Sequence, residues 1–330
     1  MMIAMRGSSS LALFALAAVA GCGGASAPDA GGPDGGSAID AGTRDASVPD
    51  AGADGAAVPD AGPCTQHDLG ASIQLARGLV VARDGTLYFS QLGGVGRVDP
   101  DGSIDASWLR IDGVTTVAGL ALDPSNETLF LSVPDGGGTG AASVHRVAIA
   151  SRSATPIVSG GFPYGLALGP DELLYYADVA TSHVHRVSPT GGAPEQITTS
   201  PISSPRGIAF EGGGSLLVAS ASPGQLFRLT LSASGLETAR ETVGAPLPTP
   251  TFIAIDALGR IYLTSEFGGF LARTNADGSE QAVLRSELSS PFALDFGHGA
   301  LCARDIYLVA GNGQVFRFEN DTPGADVSWH

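Results

Sequence analysis

The sequence predicts an all-β fold, a six-bladed β-propeller of four-stranded antiparallel blades closed by an N-terminal strand. Three observations carry this prediction. Gly 47 and Pro 21 make up about a fifth of the 330 residues and charged residues only 15%, a composition suited to many short strands and turns rather than to helices with charged faces. A start of the form Gly, apolar, Ala or Val, apolar occurs at Gly78, Gly119, Gly165 and Gly207, with variants at Phe252 and Ala293, in steps of 41, 46, 42, 45 and 41 residues. Each start leads into a β-rich run (from Leu87, Leu129, Leu174, Leu216, Ile261 and Ile306) and then an Arg between apolar neighbours, at Arg97, Arg146, Arg186, Arg228, Arg273 and Arg317. Six copies in one order, at about 44 residues each, match the period of a propeller blade.

Residues 1–21 read as an export signal. Arg6 precedes a ten-residue apolar run, Leu11 to Ala20, about half the length of a spanning helix. The following Val19-Ala20-Gly21-Cys22 resembles the lipobox of bacterial lipoproteins, which implies acylation of Cys22 and a membrane partner reached through the lipid. Gly23 in place of Asp then implies the outer membrane of a bacterial cell envelope. Residues 22–63 collapse to Ala, Gly, Pro and Asp; seven Asp face the single Arg44, and Val48 to Gly52 recurs as Val58 to Gly62. With so few large apolar side chains the segment cannot offset its ordering entropy, so we expect a disordered spacer. Calcium binding there is disfavoured because no Asp-x-Asp-x-Asp-Gly loop occurs.

Residues 64–330 form the expected propeller. Ser72 to Ala76 alternates polar and apolar side chains and is expected to close the ring as the outer strand of blade six, since nothing after Gln314 to Glu319 reads as a fourth strand. Turns such as Asp99 to Gly102, Ser188 to Gly191 and Asn275 to Gly278 supply the positive-φ positions of tight hairpins. Hairpin geometry, rather than metal binding, accounts for the acids around Asp99, because equivalent turns lack them. Cys64 lies eight residues before the closing strand and Cys302 between the first two strands of blade six. A Cys64–Cys302 bridge across the closure is expected in an oxidising compartment.

Pro163 to Asp178 and Pro205 to Phe210 resemble blades of the senescence-marker-protein/gluconolactonase family and of NHL-repeat propellers, over essentially all of residues 70–320. The resemblance implies a divalent cation at the channel mouth, held by a carboxylate and amides just before the blade-opening position. This sequence has Arg77, Ala118, Tyr164, Arg206, Thr251 and Phe292 there. None offers a carboxylate or an amide, and two guanidinium groups repel a hard cation. No cofactor is therefore expected, and a divalent cation only if a rearranged lactonase site exists. No Gly-x-Ser-x-Gly, His-Glu-x-x-His or Cys-x-x-Cys occurs.

His183 and His185 share a strand face, but the matching slots elsewhere hold Gly96, Phe227, Ala272 and Phe316, so packing is the expected role, as for His145. The recurring Arg and Asp178 are likewise read as structural. The formal charge of −16 excludes a nucleic-acid partner bound through phosphates. The expected function is non-enzymatic binding of a small anionic, sugar-like or protein ligand at the mouth by Arg77, Tyr164, Arg206, Thr251 and Phe292. The alternative is a metal-dependent lactonase.

Overall fold

The computed structural model describes residues 76–134 and 142–325. Its strands pair antiparallel in chain order into six sheets. Blade one holds β1 (Leu79–Val81), β2 (Leu87–Gln91), β3 (Gly94–Val98) and β4 (Ile104–Arg110). Blade two holds β5 (Leu120–Leu122), β6 (Thr128–Val133), β7 (Ser143–Ala148) and β8 (Ser153–Ser159). Blade three holds β9 (Pro163–Leu168), β10 (Leu174–Asp178), β11 (His183–Val187) and the two-residue β12 (Glu195–Gln196). Blade four holds β13 (Pro205–Phe210), β14 (Leu216–Ser220), β15 (Gln225–Leu231) and β16 (Glu237–Val243). Blade five holds β17 (Pro250–Ile255), β18 (Ile261–Ser265), β19 (Phe270–Thr274) and β20 (Ala282–Arg285). Blade six holds β21 (Pro291–Phe296), β22 (Ile306–Ala310) and β23 (Val315–Phe318). The protein is an all-β, six-bladed propeller, and the recurring Arg lies on the third strand of every blade.

The near-continuous apolar runs of the inner strands follow from burial on both faces. Every residue of β2, β6, β10, β14, β18 and β22 is buried, whereas the outer β4, β8 and β16 expose most of theirs. The apolar core is accordingly divided into clusters between adjacent blades. Phe130 of blade two, for example, packs with Leu166, Leu174 and Tyr176 of blade three. The ring closes the same way: Phe292, Tyr307 and Val309 of blade six pack with Leu79, Leu87 and Phe89 of blade one. Asp295 Oδ2 also accepts the Val81 N–H at 2.8 Å across this seam.

Three strands of blade six are present among the described residues. Of the segment assigned as its fourth strand, residues 72–75 lie outside the described residues; Ala76 is fully buried in the blade six–blade one cluster. Cys22, Cys64 and the whole of residues 1–63 also lie outside them. The chain after Phe318 returns to the channel, where Gly324 bridges Asp256 and the Ala325 N–H donates to the Ile255 carbonyl. The Asp99 turn is the expected hairpin: Ser103 O accepts from Asp99 N, Gly102 has φ 85°, and the Asp99 carboxylate takes Arg97 Nη2 at 2.9 Å.

Candidate functional site

Antiparallel pairing brings the start of each first strand and the end of each second strand to the same end of the channel. Hydroxyls on the second strands fix the backbone there. Ser90 Oγ accepts from Arg77 N (2.8 Å) and Gly78 N (2.7 Å). Ser132 Oγ accepts from Gly119 N at 2.8 Å and donates to the Tyr164 carbonyl of the next blade. Thr264 Oγ1 accepts from Phe252 N at 3.1 Å and donates to the Phe292 carbonyl. The residues that open the blades are therefore tied to their own blade and to the neighbouring one.

Four of the five expected ligand-binding residues form stacked pairs at this mouth. The Arg206 guanidinium lies over the Tyr164 ring at 4.3 Å, and that of Arg77 over the Phe292 ring at 5.2 Å. Tyr164 in turn meets Phe252, with ring centroids 5.8 Å apart. The Tyr164 hydroxyl and Arg206 Nε are buried and make no hydrogen bond of good geometry among the described residues. Burial pushes the Tyr164 phenol above its usual pKa, and the positive charges of Arg206 and Arg77 pull part of the way back. Both guanidinium groups thus act on one hydroxyl. Thr251 plays a different part: it is buried, donates to Thr249 O at 3.0 Å and accepts from Glu266 N at 3.3 Å. Its hydroxyl shapes a turn rather than facing a ligand.

The sequence reading missed Glu266. It directly follows the end of β18, three residues beyond the apolar Ile261 to Leu263, and its carboxylate lies 3.9 Å from Arg206 Nη1. The expectation that the mouth lacks a carboxylate is corrected to this extent: the acid comes from the end of a second strand, not from a blade-opening position. The set still does not fit a hard divalent cation. One carboxylate already faces a guanidinium, a second guanidinium stands nearby, and calcium or magnesium needs several oxygen ligands. Among the described residues no group of three or more His, Cys, Asp or Glu could hold a metal ion.

The histidines occupy packing slots. His183 Nδ1 pairs with Thr198 Oγ1 (2.7 Å), His185 Nε2 with Thr181 Oγ1 (2.9 Å) and His145 Nε2 with Ser143 Oγ (2.9 Å). Burial lowers the pKa of His145 and of His185, in the latter against the opposing pull of Asp178. Asp178 is a buried turn acid accepting from the N–H groups of Phe162 (2.7 Å) and Ala180 (3.0 Å). The recurring Arg is clamped by carboxylates in four blades: Arg97 by Asp99, Arg186 by Asp171 and Glu195, Arg228 by Glu211 and Glu241, and Arg317 by Asp305. Cys302 is buried, and its sulfur accepts from Arg317 Nη2 at 3.4 Å. Below the mouth the channel narrows to a cavity of about 100 Å³ lined by small and aliphatic residues together with Phe252, Phe296, Asp295 and His298.

No protein-family model matches the sequence, and no curated protein sequence matches it either. Similar solved structures are gluconolactonase-type and related propellers. A structural-genomics protein assigned as a gluconolactonase superposes with a TM-score of 0.65 at 18% identity, covering 79% of this chain and 93% of its own. A gluconolactonase of Xanthomonas campestris gives 0.61 at 17% identity, covering 76% of this chain and 86% of its own. Virginiamycin B lyase of Staphylococcus aureus, solved with quinupristin, gives 0.56 at 16%, covering 73% and 79%. Hydrolase and lyase share this architecture, so the likeness carries the fold and the activity must be argued from the site.

Proposed function

We propose that the propeller is a lipid-anchored binding protein of a bacterial envelope that captures a small, sugar-like anion at the channel mouth. The observation that carries this reading is the pair of guanidinium–aromatic stacks, Arg206 on Tyr164 and Arg77 on Phe292, at one opening. Guanidinium groups held against ring faces present their edges to a carboxylate, while the half-buried Phe252 ring beside Tyr164 suits the C–H face of a sugar. The buried, unmatched Tyr164 hydroxyl and Arg206 Nε add polar atoms that a bound ligand would satisfy. Two cations against Glu266 leave the mouth locally positive in a chain of formal charge −16. The tether rests on the apolar run ending at Ala20, on Cys22 and Gly23, and on the acidic spacer to residue 63. We propose with it the Cys64–Cys302 bridge, which the burial of Cys302 and the exported character of the chain support.

Calorimetry of the purified protein with glucuronate, and with neutral glucose as control, tests the reading. Glucuronate should bind and glucose bind at least tenfold more weakly; Arg77→Ala combined with Arg206→Ala should remove the difference. A double variant that binds glucuronate as tightly as the wild type refutes the site. Steady hydrolysis of glucono-lactone by the wild type, lost in Glu266→Gln, would favour the lactonase alternative instead.

A further inference from the structure

We propose a second binding site on the opposite face, between blades two and three, for a small monoanionic organic acid with an apolar body. The six blades supply their own comparison. In blades one, three and four the third-strand Arg faces an acid on the outer strand in register: Arg97 with Asp105, Arg186 with Glu195, Arg228 with Glu241. In blade two the residue opposite Arg146 is Thr155. The other partner is lost as well. Glu211, immediately after β13, clamps Arg228 at 2.6 and 2.8 Å. Its counterpart immediately after β5 is Asp123, one methylene shorter, whose carboxylate is taken by Ser125 Oγ (2.6 Å), Glu127 N (2.9 Å) and Thr128 N (2.8 Å). The hydrogen bond of Arg146 among the described residues is to Thr128 Oγ1 at 3.2 Å. Arg273 of blade five also makes no ion pair among the described residues, but Glu319 and Asp321 line the space it faces.

Beside Arg146, on the side of Asp123, lies a cavity of about 450 Å³. Its walls include Pro124, Phe130, Leu168, Pro170 and Pro189, with Arg146 as the cation. A guanidinium with most of its donors uncommitted takes a carboxylate in the bidentate geometry that Arg228 displays with Glu211. The partly exposed Pro124, Pro170 and Pro189 receive the rest of the molecule. Asp123 and Glu172 also line the space, and their charge counts against a dianion such as phosphate. The class is therefore a monocarboxylate with an aromatic or branched body.

The test uses the full chain and 3-phenylpropanoate as probe, with 3-phenylpropanamide and inorganic phosphate as comparators, read by calorimetry. We expect the carboxylate to bind at least tenfold more tightly than either comparator. Arg146→Gln should weaken it at least tenfold. Thr155→Glu, which restores the outer-strand acid found in three sister blades, should weaken it similarly without lowering the unfolding midpoint. Arg77→Ala with Arg206→Ala should leave a component of that binding intact, which separates this site from the mouth. Equal binding of acid and amide, no binding of the acid at millimolar concentration, or unchanged affinity in both Arg146→Gln and Thr155→Glu would each overturn the proposal.

Discussion

Replacing Gly165 by Ala tests the construction of the mouth without replacing any residue expected to meet a ligand. Inner strands of adjacent blades approach so closely there that an added Cβ would lie 2.9 Å from Gly207 Cα, 3.0 Å from Ile208 N, and closer still to the Arg206 carbonyl oxygen. All three obstacles are backbone of the next blade, so no side chain can swing aside. Gly78, Gly119 and Gly207 meet the carbonyls of Ala118, Tyr164 and Thr251 in the same way, which is the physical reason for the recurring glycine. Overpacking of this kind costs about 1–3 kcal/mol, and rigid neighbours place it at the upper end. For a domain of this size each kcal/mol lowers Tm by roughly 2–4 °C, so a fall of roughly 5–10 °C is expected. Thermal unfolding followed by circular dichroism, with Gly213→Ala as control, reads it out. Nothing lies within 4 Å of a Cβ at Gly213, so that control should move stability by no more than about 0.5 kcal/mol. Because the Arg206 backbone must shift, glucuronate affinity should fall as well. A Gly165→Ala protein melting within about 2 °C of wild type would show that the inner ring yields easily and would refute the close-approach argument.

Acid sensitivity should centre on Glu237. Burial pushes its carboxyl up, but Arg240 Nε at 2.7 Å and the Thr199 N–H at 2.6 Å outweigh burial and hold it below the usual glutamate value. A depressed folded-state pKa stabilises the protein above the unfolded value, about 4.3, and that contribution is lost as pH falls through the folded value. Glu237→Gln should therefore cost about 1–3 kcal/mol at pH 7, with the gap closing below about pH 4. Urea midpoints at the two pH values check this, and an unchanged gap at low pH would contradict it. A divalent cation should matter little: adding calcium at about 1 mM to chelator-treated protein should shift Tm by less than about 1 °C, since the mouth lacks the ligands of a site whose filling would stabilise the fold. A shift of several degrees would reveal a coordination set not recognised at the mouth.

Much of the architecture was legible because a propeller repeats its physics. Four of the six blades carry the same glycine at the crowded inner ring, and all six the same buried second strand and third-strand Arg, so six weak signals in one order add to a strong one. The mouth was legible at Arg77, Tyr164, Arg206 and Phe292 because those positions are fixed by their place just before the repeat. Glu266 was not, because it enters from the end of a second strand, where no periodic feature marks direction. Nor could the sequence separate Thr251, consumed by its own turn, from residues that face the opening.

The sequence by itself determined the blade number, the strand order and the near-continuous apolar runs of the second strands, all consequences of local periodicity and burial. Only the tertiary structure decided which arginines are answered. Whether a guanidinium is neutralised depends on acids contributed by turns and outer strands at the right distance, as the contrast between Arg228 and Arg146 demonstrates. Two replacements, Asp123 for Glu211 and Thr155 for Glu241, separate the closed ion pairs of Arg228 from the open pocket at Arg146.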